Sequence, residues 1–109
     1  MNGTNDLSDF ELAWTSFNSP NRKFSMHHFS SGYDKKIHLT QKPVKLYEWI
    51  LINYAKEGDK ILDTHGGSQS SRIACFNLGF ELDIIELDKD YFELANKRFE
   101  DHKKQLTLF

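Results

Sequence analysis

The sequence predicts an α/β fold, part of an open Rossmann-like sheet with an incomplete set of strands. Three observations carry that expectation. The first is a short apolar run, Lys60-Ile61-Leu62-Asp63-Thr64, that ends in a carboxylate and runs into the loop His65-Gly66-Gly67-Ser68-Gln69-Ser70-Ser71. The second is a helical stretch closing on Gly79, followed by another apolar run, Phe80 to Leu87, with Glu86 at its end. Strand, Gly/Ser loop, helix and acid-terminated strand make half of a nucleotide-binding α/β unit. The third is a helix-period apolar stripe on either side of this unit.

The elements follow in order. Residues 1–9 are polar and read as a poorly ordered terminus. Phe10 to Phe17 alternates as a strand, Asn18-Ser19-Pro20-Asn21 is a turn cluster, and Lys23 to Phe29 is a second strand. The two runs predict a β-hairpin that continues into a basic loop ending near residue 36. Pro43 opens a helix to about Ala55, because proline suits a first helical position. Val44, Tyr47, Leu51 and Tyr54 give it one apolar stripe, with Ile50 beside them. Glu57-Gly58-Asp59 turns the chain into the first strand. Asp88 caps a last helix, expected from Lys89 to Lys103, with Tyr91, Leu94, Ala95 and Phe99 inward and Phe92 flanking. Residues 37–104 thus form one unit, and residues 105–109 a tail.

Composition narrows the class. The 109 residues are 39% hydrophobic and 14% aromatic, enough for a core and against disorder. Cys75 is the only cysteine, so no intrachain disulfide forms, and its apolar context assigns it to the core. The start of the chain has neither a basic region nor an apolar run, and no stretch is long enough to span a bilayer. A reducing cytoplasm is the simplest setting. The net charge of −2 conceals segregation. Residues 22–45 carry Arg22, Lys23, Lys35, Lys36, Lys42 and Lys45 against Asp34 alone. Phe24, His27, His28, Phe29 and Tyr33 interleave with them, a combination suited to a polyanion with stackable bases. A solvated hairpin face is the plainer alternative. His27 and His28 lack a second ligand cluster, so no metal is expected. Trp14 and Trp49 are assigned to packing.

The loop has neither the spacing of a dinucleotide fingerprint nor a following Gly-Lys-Ser/Thr, which argues against a phosphate cradle. A nucleoside held by its ribose fits better. Glu86 stands about 20 residues beyond the loop, where a carboxylate accepts ribose hydroxyls. For Asp63 two roles stay open, ligand contact or helix cap. Glu86 also has a plain alternative, a solvated strand end.

Three ordered motifs give the chain a family likeness: His38-Leu39-Thr40-Gln41-Lys42-Pro43, then Asp63-Thr64-His65-Gly66-Gly67-Ser68-Gln69-Ser70, then Glu86-Leu87-Asp88-Lys89-Asp90-Tyr91. These resemble the β-type amino-methyltransferases of DNA, in particular a branch common in phages and prophages. That family transfers a methyl group from S-adenosylmethionine to the exocyclic amine of adenine or cytosine. The resemblance implies an S-adenosylmethionine-dependent methyltransferase fold, with Thr40, Gln41, Lys42, Asp63, His65, Gly67, Ser68 and Glu86 binding the cofactor. It implies DNA as partner, met by Arg22, Lys23, Lys35 and Lys36, with adenine N6 the favoured target over cytosine N4 and a setting in restriction-modification.

Departures from the family pattern qualify this. Leu39 replaces a proline, which costs only loop stiffness, and Gln69 replaces a loop glycine, where a required positive φ would strain a residue with a side chain and weaken cofactor binding. The family's catalytic Asp-Pro-Pro-Tyr is absent, because the only two prolines, Pro20 and Pro43, are far apart. The chain alone is therefore expected to be inactive. It resembles a C-terminal, cofactor-binding half whose partner is the missing N-terminal half or a second copy. The alternatives are a non-catalytic prophage remnant and a DNA- or sliding-clamp-binding module. The last of these rests on Gln105-Leu106-Thr107-Leu108-Phe109, which resembles the pentapeptide by which bacterial DNA enzymes dock on the clamp. Gln105, Leu106, Leu108 and Phe109 are its anchors, and folding of the tail onto the core is the competing expectation.

Overall fold

A computed structural model describes residues 12–25 and 41–107. Over these residues the chain is a small α/β unit of three helices and a two-stranded parallel sheet, in the order α1 (Val44–Tyr54), β1 (Lys60–Asp63), α2 (Ser70–Leu78), β2 (Glu81–Ile84) and α3 (Lys89–Thr107). The strands pair with Lys60 opposite Glu81 and Asp63 opposite Ile84. Ile85 N–H donates to Asp63 O and Gly66 N–H to Ile85 O, so the pairing continues past both strand ends.

Local chemistry sets the boundaries. Pro43 is the residue before α1, with extended backbone, so the helix starts one residue later than expected. A turn closes Lys56 to Asp59, where Asp59 N–H donates to Lys56 O, Lys56 N–H returns to Asp59 Oδ2, and Gly58 supplies φ 90°. Asp88 caps α3 as expected, its Oδ1 accepting from Tyr91 N–H at 3.1 Å. That helix runs through Thr107, beyond the expected end at Lys103. Gln105 and Leu106 therefore belong to a helix, while Leu108 and Phe109 lie outside the described residues.

The buried cluster is Val44, Leu51, Ile73, Ala74, Cys75 and Phe99, with Tyr47, Ala55, Ile61, Phe80 and Leu82 packed against it. Ile61 and Leu82 bring one face of the sheet to the helices. Leu62, on the opposite face, is 62% exposed. On α3 the inward positions are Ala95, Arg98, Phe99 and His102. Leu94, expected inside, is instead half-exposed, because hydrogen-bonded polar groups take the place the stripe assigned to it.

Among the described residues of the expected hairpin, 12–25, no strand is formed, and Leu12 and Trp14 are largely exposed, so Trp14 does not pack. The segment lies along α1 instead, with Phe17 on Tyr54 at 5.0 Å and Phe24 on Trp49 at 5.7 Å between ring centroids. Aromatic side chains that fit one face of a strand find larger apolar partners on the helix. The ends of the two expected strands, residues 10–11 and 26–29, lie outside the described residues. No described helix is long and apolar enough to cross a membrane.

Candidate functional site

The site lies where β1 and β2 end side by side. Parallel strands joined by a helix deliver both their carboxyl ends to one edge, the usual place for a ligand crevice in an open α/β sheet. Here they deliver two carboxylates, Asp63 and Glu86, and between them the loop 64–69.

The loop is shaped by contact with β2. Gly66 presses so closely on the strand that a Cβ would stand 2.8 Å from Ile84 Cγ1 and 3.3 Å from Ile85 O. Its carbonyl accepts from Gln69 N–H at 2.8 Å, closing a turn in which Gly67 takes φ 52°. Gly67 N–H then donates to Glu86 Oε1 at 2.7 Å, joining loop to strand end. The other oxygen, Oε2, accepts from Asp88 N–H at 2.8 Å. Glu86 is half-buried and its carboxylate is oriented by both bonds.

Asp63 braces the other wall. Its Oδ1 accepts from His65 N–H at 3.0 Å and its Oδ2 from the Ser71 hydroxyl at 2.5 Å. Asp63 thus ties the strand end to the first turn of α2 through the Ser71 hydroxyl, while the N–H groups that open α2 receive no side-chain cap. Its charge also reaches the core. Burial pushes the Tyr47 hydroxyl above its usual range, and Asp63 adds to the effect. The Cys75 thiol is pushed up to about 11, by burial first and Asp63 second.

The remaining expected residues divide. His65 is exposed, with Nδ1 2.9 Å from Thr64 Oγ1. Ser68 is buried, and its hydroxyl lies 3.2 Å from that of Ser70 rather than opening into the crevice. Gln41 and Lys42 are half-buried just before α1. Thr40 lies outside the described residues, as do Lys35 and Lys36. Arg22 is exposed but engaged, its Nη1 donating to Asn53 Oδ1 at 3.1 Å, with its guanidinium 5.6 Å from the Tyr54 ring. Lys23 is exposed.

Sequence reading missed the support that α3 gives the loop. Arg98 is buried, and its Nη1 donates to Ser68 O at 2.9 Å and to Ser70 Oγ at 3.1 Å. A charged residue three positions after Ala95, on the inward stripe, was the available signal, since arginine is buried only where it is bonded. Gln69, in the glycine position of the loop motif, does take the left-handed conformation, φ 62° and ψ 31°. A side chain there costs ~1 kcal/mol or more. The side chain is fully buried and makes hydrogen bonds to Asn96 and Arg72, which offset that strain.

The chain is similar in sequence to known proteins. The DNA methylase family model, of the N6/N4 type, matches residues 4–97. The type II methyltransferase M.HpaI of Haemophilus parainfluenzae is 35% identical over 78 residues, 72% of this chain and 24% of that protein. M2.DpnII of Streptococcus pneumoniae is 41% identical over 63 residues, 58% of this chain and 24% of its own length. M2.LlaDCHI of Lactococcus lactis subsp. cremoris is 38% identical over 61 residues, covering 56% and 23%. The chain thus spans about a quarter of the curated relatives it matches. No solved structure matches it. With its strand-end carboxylates and glycine loop inside the matched region, the chain belongs to the N6/N4 DNA methylase family.

Proposed function

We propose that this chain is the S-adenosylmethionine-binding part of a site-specific DNA amino-methyltransferase with a Rossmann-like fold. The observation that carries the reading is the Glu86 carboxylate, half-buried at the end of β2 and oriented there by the Gly67 and Asp88 N–H groups. Glu86 takes the ribose hydroxyls. Gly67 and the loop backbone lie beside the rest of the nucleoside, and the absence of a Cβ at Gly66 keeps the loop close to β2. Asp63 holds the wall of the crevice, with His65 at its exposed rim and Ser68 anchoring the loop from beneath. Gln41 and Lys42 approach from the start of α1, and Thr40 completes the set in this reading. When bound, the sulfonium cofactor supplies an electrophilic methyl group.

DNA is the substrate of this reading, with adenine N6 favoured as acceptor. Arg22 and Lys23, with Lys35 and Lys36, meet its phosphates. The 109 residues contain no adjacent prolines, and hence no Asp-Pro-Pro-Tyr to accept hydrogen bonds from a flipped base's amine. Methyl transfer therefore needs a second polypeptide segment that brings that tetrapeptide, in the bacterial or phage-infected cytoplasm. A prophage-derived binding module without catalysis is the second reading, and the same missing tetrapeptide favours it. Gln105 and Leu106 are exposed on the last turn of α3, and with Leu108 and Phe109 they form the proposed contact with the sliding clamp.

Calorimetric titration of S-adenosylmethionine into the chain tests the central point. Glu86→Ala removes charge-assisted hydrogen bonds worth roughly 1.5–3 kcal/mol each. The expected loss of affinity is about one to two orders of magnitude. Equal affinity in the variant would place the ribose elsewhere.

A further inference from the structure

The loop is held from behind by a closed ring of three side chains. Gln69 Nε2 donates to Asn96 Oδ1 at 2.9 Å, Arg72 Nη1 donates to Gln69 Oε1 at 3.0 Å, and the same Nη1 donates to Asn96 Oδ1 at 2.9 Å. Gln69 is fully buried and is the sole non-glycine residue with positive φ among the described residues. Its own carbonyl starts α2, accepting from Arg72 N–H at 3.0 Å and Ile73 N–H at 3.2 Å. Arg72 is fixed in turn, its guanidinium 3.8 Å from the centroid of the Phe99 ring. A left-handed residue with a side chain persists only where its surroundings over-determine it. Here the surroundings are Asn96 and Arg72.

We propose that Asn96 on α3 is a positioning residue for the cofactor loop: as a shared acceptor it locks Gln69 in the left-handed conformation and thereby sets the affinity of the crevice for S-adenosylmethionine. This rests on the functional reading above. Gly67, whose N–H meets Glu86, stands two residues from Gln69, and Gly66 O accepts from Gln69 N–H, so a change in Gln69 moves the groups that line the crevice. Asn96 bonds none of the crevice groups itself. Because Oδ1 receives both donors, what the position requires is an acceptor, and aspartate supplies one where an isosteric leucine does not. The ring lets a residue with a side chain do what glycine does elsewhere in the family motif, at the cost of dependence on a helix more than twenty residues away.

The test uses the whole chain with S-adenosylmethionine as titrant, together with the hydrogen exchange of the Gln69 amide. Asn96→Asp is expected to bind within about threefold of the unmutated chain, with the amide protected. Asn96→Leu is expected to bind about five- to twentyfold more weakly, with faster exchange. Gln69→Gly adopts φ 62° freely but loses the tether, and adding Asn96→Leu to it should cost nothing further. Unmutated affinity in Asn96→Leu, equal loss in Asn96→Asp and Asn96→Leu, or additive losses in the double variant would overturn the proposal. Should the unmutated chain bind no S-adenosylmethionine at all, the functional reading fails and the proposal with it. Binding that Glu86→Ala weakens and Asn96→Leu does not would remove the proposal alone.

Discussion

Gly66→Ala should destabilise the chain, and its cost can be estimated from three distances. An added Cβ would lie 2.8 Å from Ile84 Cγ1, 3.0 Å from Ile84 Cδ1 and 3.3 Å from Ile85 O. Carbon atoms rest at about 3.5–4.0 Å, so the first contact is roughly 0.7 Å too close even at the near limit. Ile84 stands in register opposite Asp63, and Ile85 O already accepts from Gly66 N–H at 2.7 Å, so neither backbone can yield without disturbing the strand ends. Overpacking of this kind costs ~1–3 kcal/mol. At about 4–8 °C per kcal/mol for a domain of this size, the melting temperature should fall by several degrees or more. Thermal unfolding followed by circular dichroism measures it. Ile84→Ala removes both clashing side-chain atoms, so in that background the cost of Gly66→Ala should shrink to less than about half. A melting temperature within about 1 °C of the parent, or the same cost in both backgrounds, would refute the reasoning.

Three further outcomes follow from other contacts. His102 is buried, its Nε2 lies 2.9 Å from Asn77 Oδ1, and its folded pKa is lowered below 6.5 by burial first and Arg98 second, against a raising effect of Glu48. The unfolded chain then takes up the proton first. The His102 contribution is complete above pH 6.5 and is lost as pH falls from there toward the lowered folded value, so a melting profile should decline over that window and flatten in His102→Gln. Cys75, buried and raised to about 11, should resist a thiol reagent at pH 8 in the folded chain and react promptly in denaturant. Fast labelling of the folded chain would contradict that burial. Removing Leu108 and Phe109 should abolish capture by the sliding clamp while leaving the melting temperature unchanged. A fall of several degrees, without clamp binding by the intact chain, would assign those residues to the core.

What the sequence made legible was governed by nearness along the chain. The strand–loop–helix–strand unit, the caps at Asp88 and Gly79, and the acid at the end of β2 are patterns spanning a few residues each, and the structure contains them. The hairpin over Phe10 to Phe29 rested on short apolar alternation, which a strand and an aromatic segment laid on a helix share. Contact between Phe17 and Tyr54 was not encoded in that local pattern. The stripe of α3 failed at Leu94 for a related reason. Periodicity weighs apolar residues, and it passed over Arg98 and His102, whose burial depends on partners in α2 and the loop. The strain at Gln69 was foreseen from a missing glycine, whereas its remedy through Asn96 was visible only in three dimensions.

The grip of α3 on the loop also bears on the order in which the chain acquires its structure. Ser68 and Gln69 find their side-chain partners 30 and 27 residues further on, at Arg98 and Asn96. Closing a contact over that span carries an entropic penalty that local turns avoid. The pairing of β1 with β2 holds Gly66 and Gly67 but does not by itself fix Gln69, since a left-handed glutamine without its ring relaxes to the right-handed region. During synthesis Gln69 would stay unset until the first half of α3, through Arg98, had emerged and docked. A nascent chain arrested after β2 should show parallel pairing in the making and a loop still sampling many conformations.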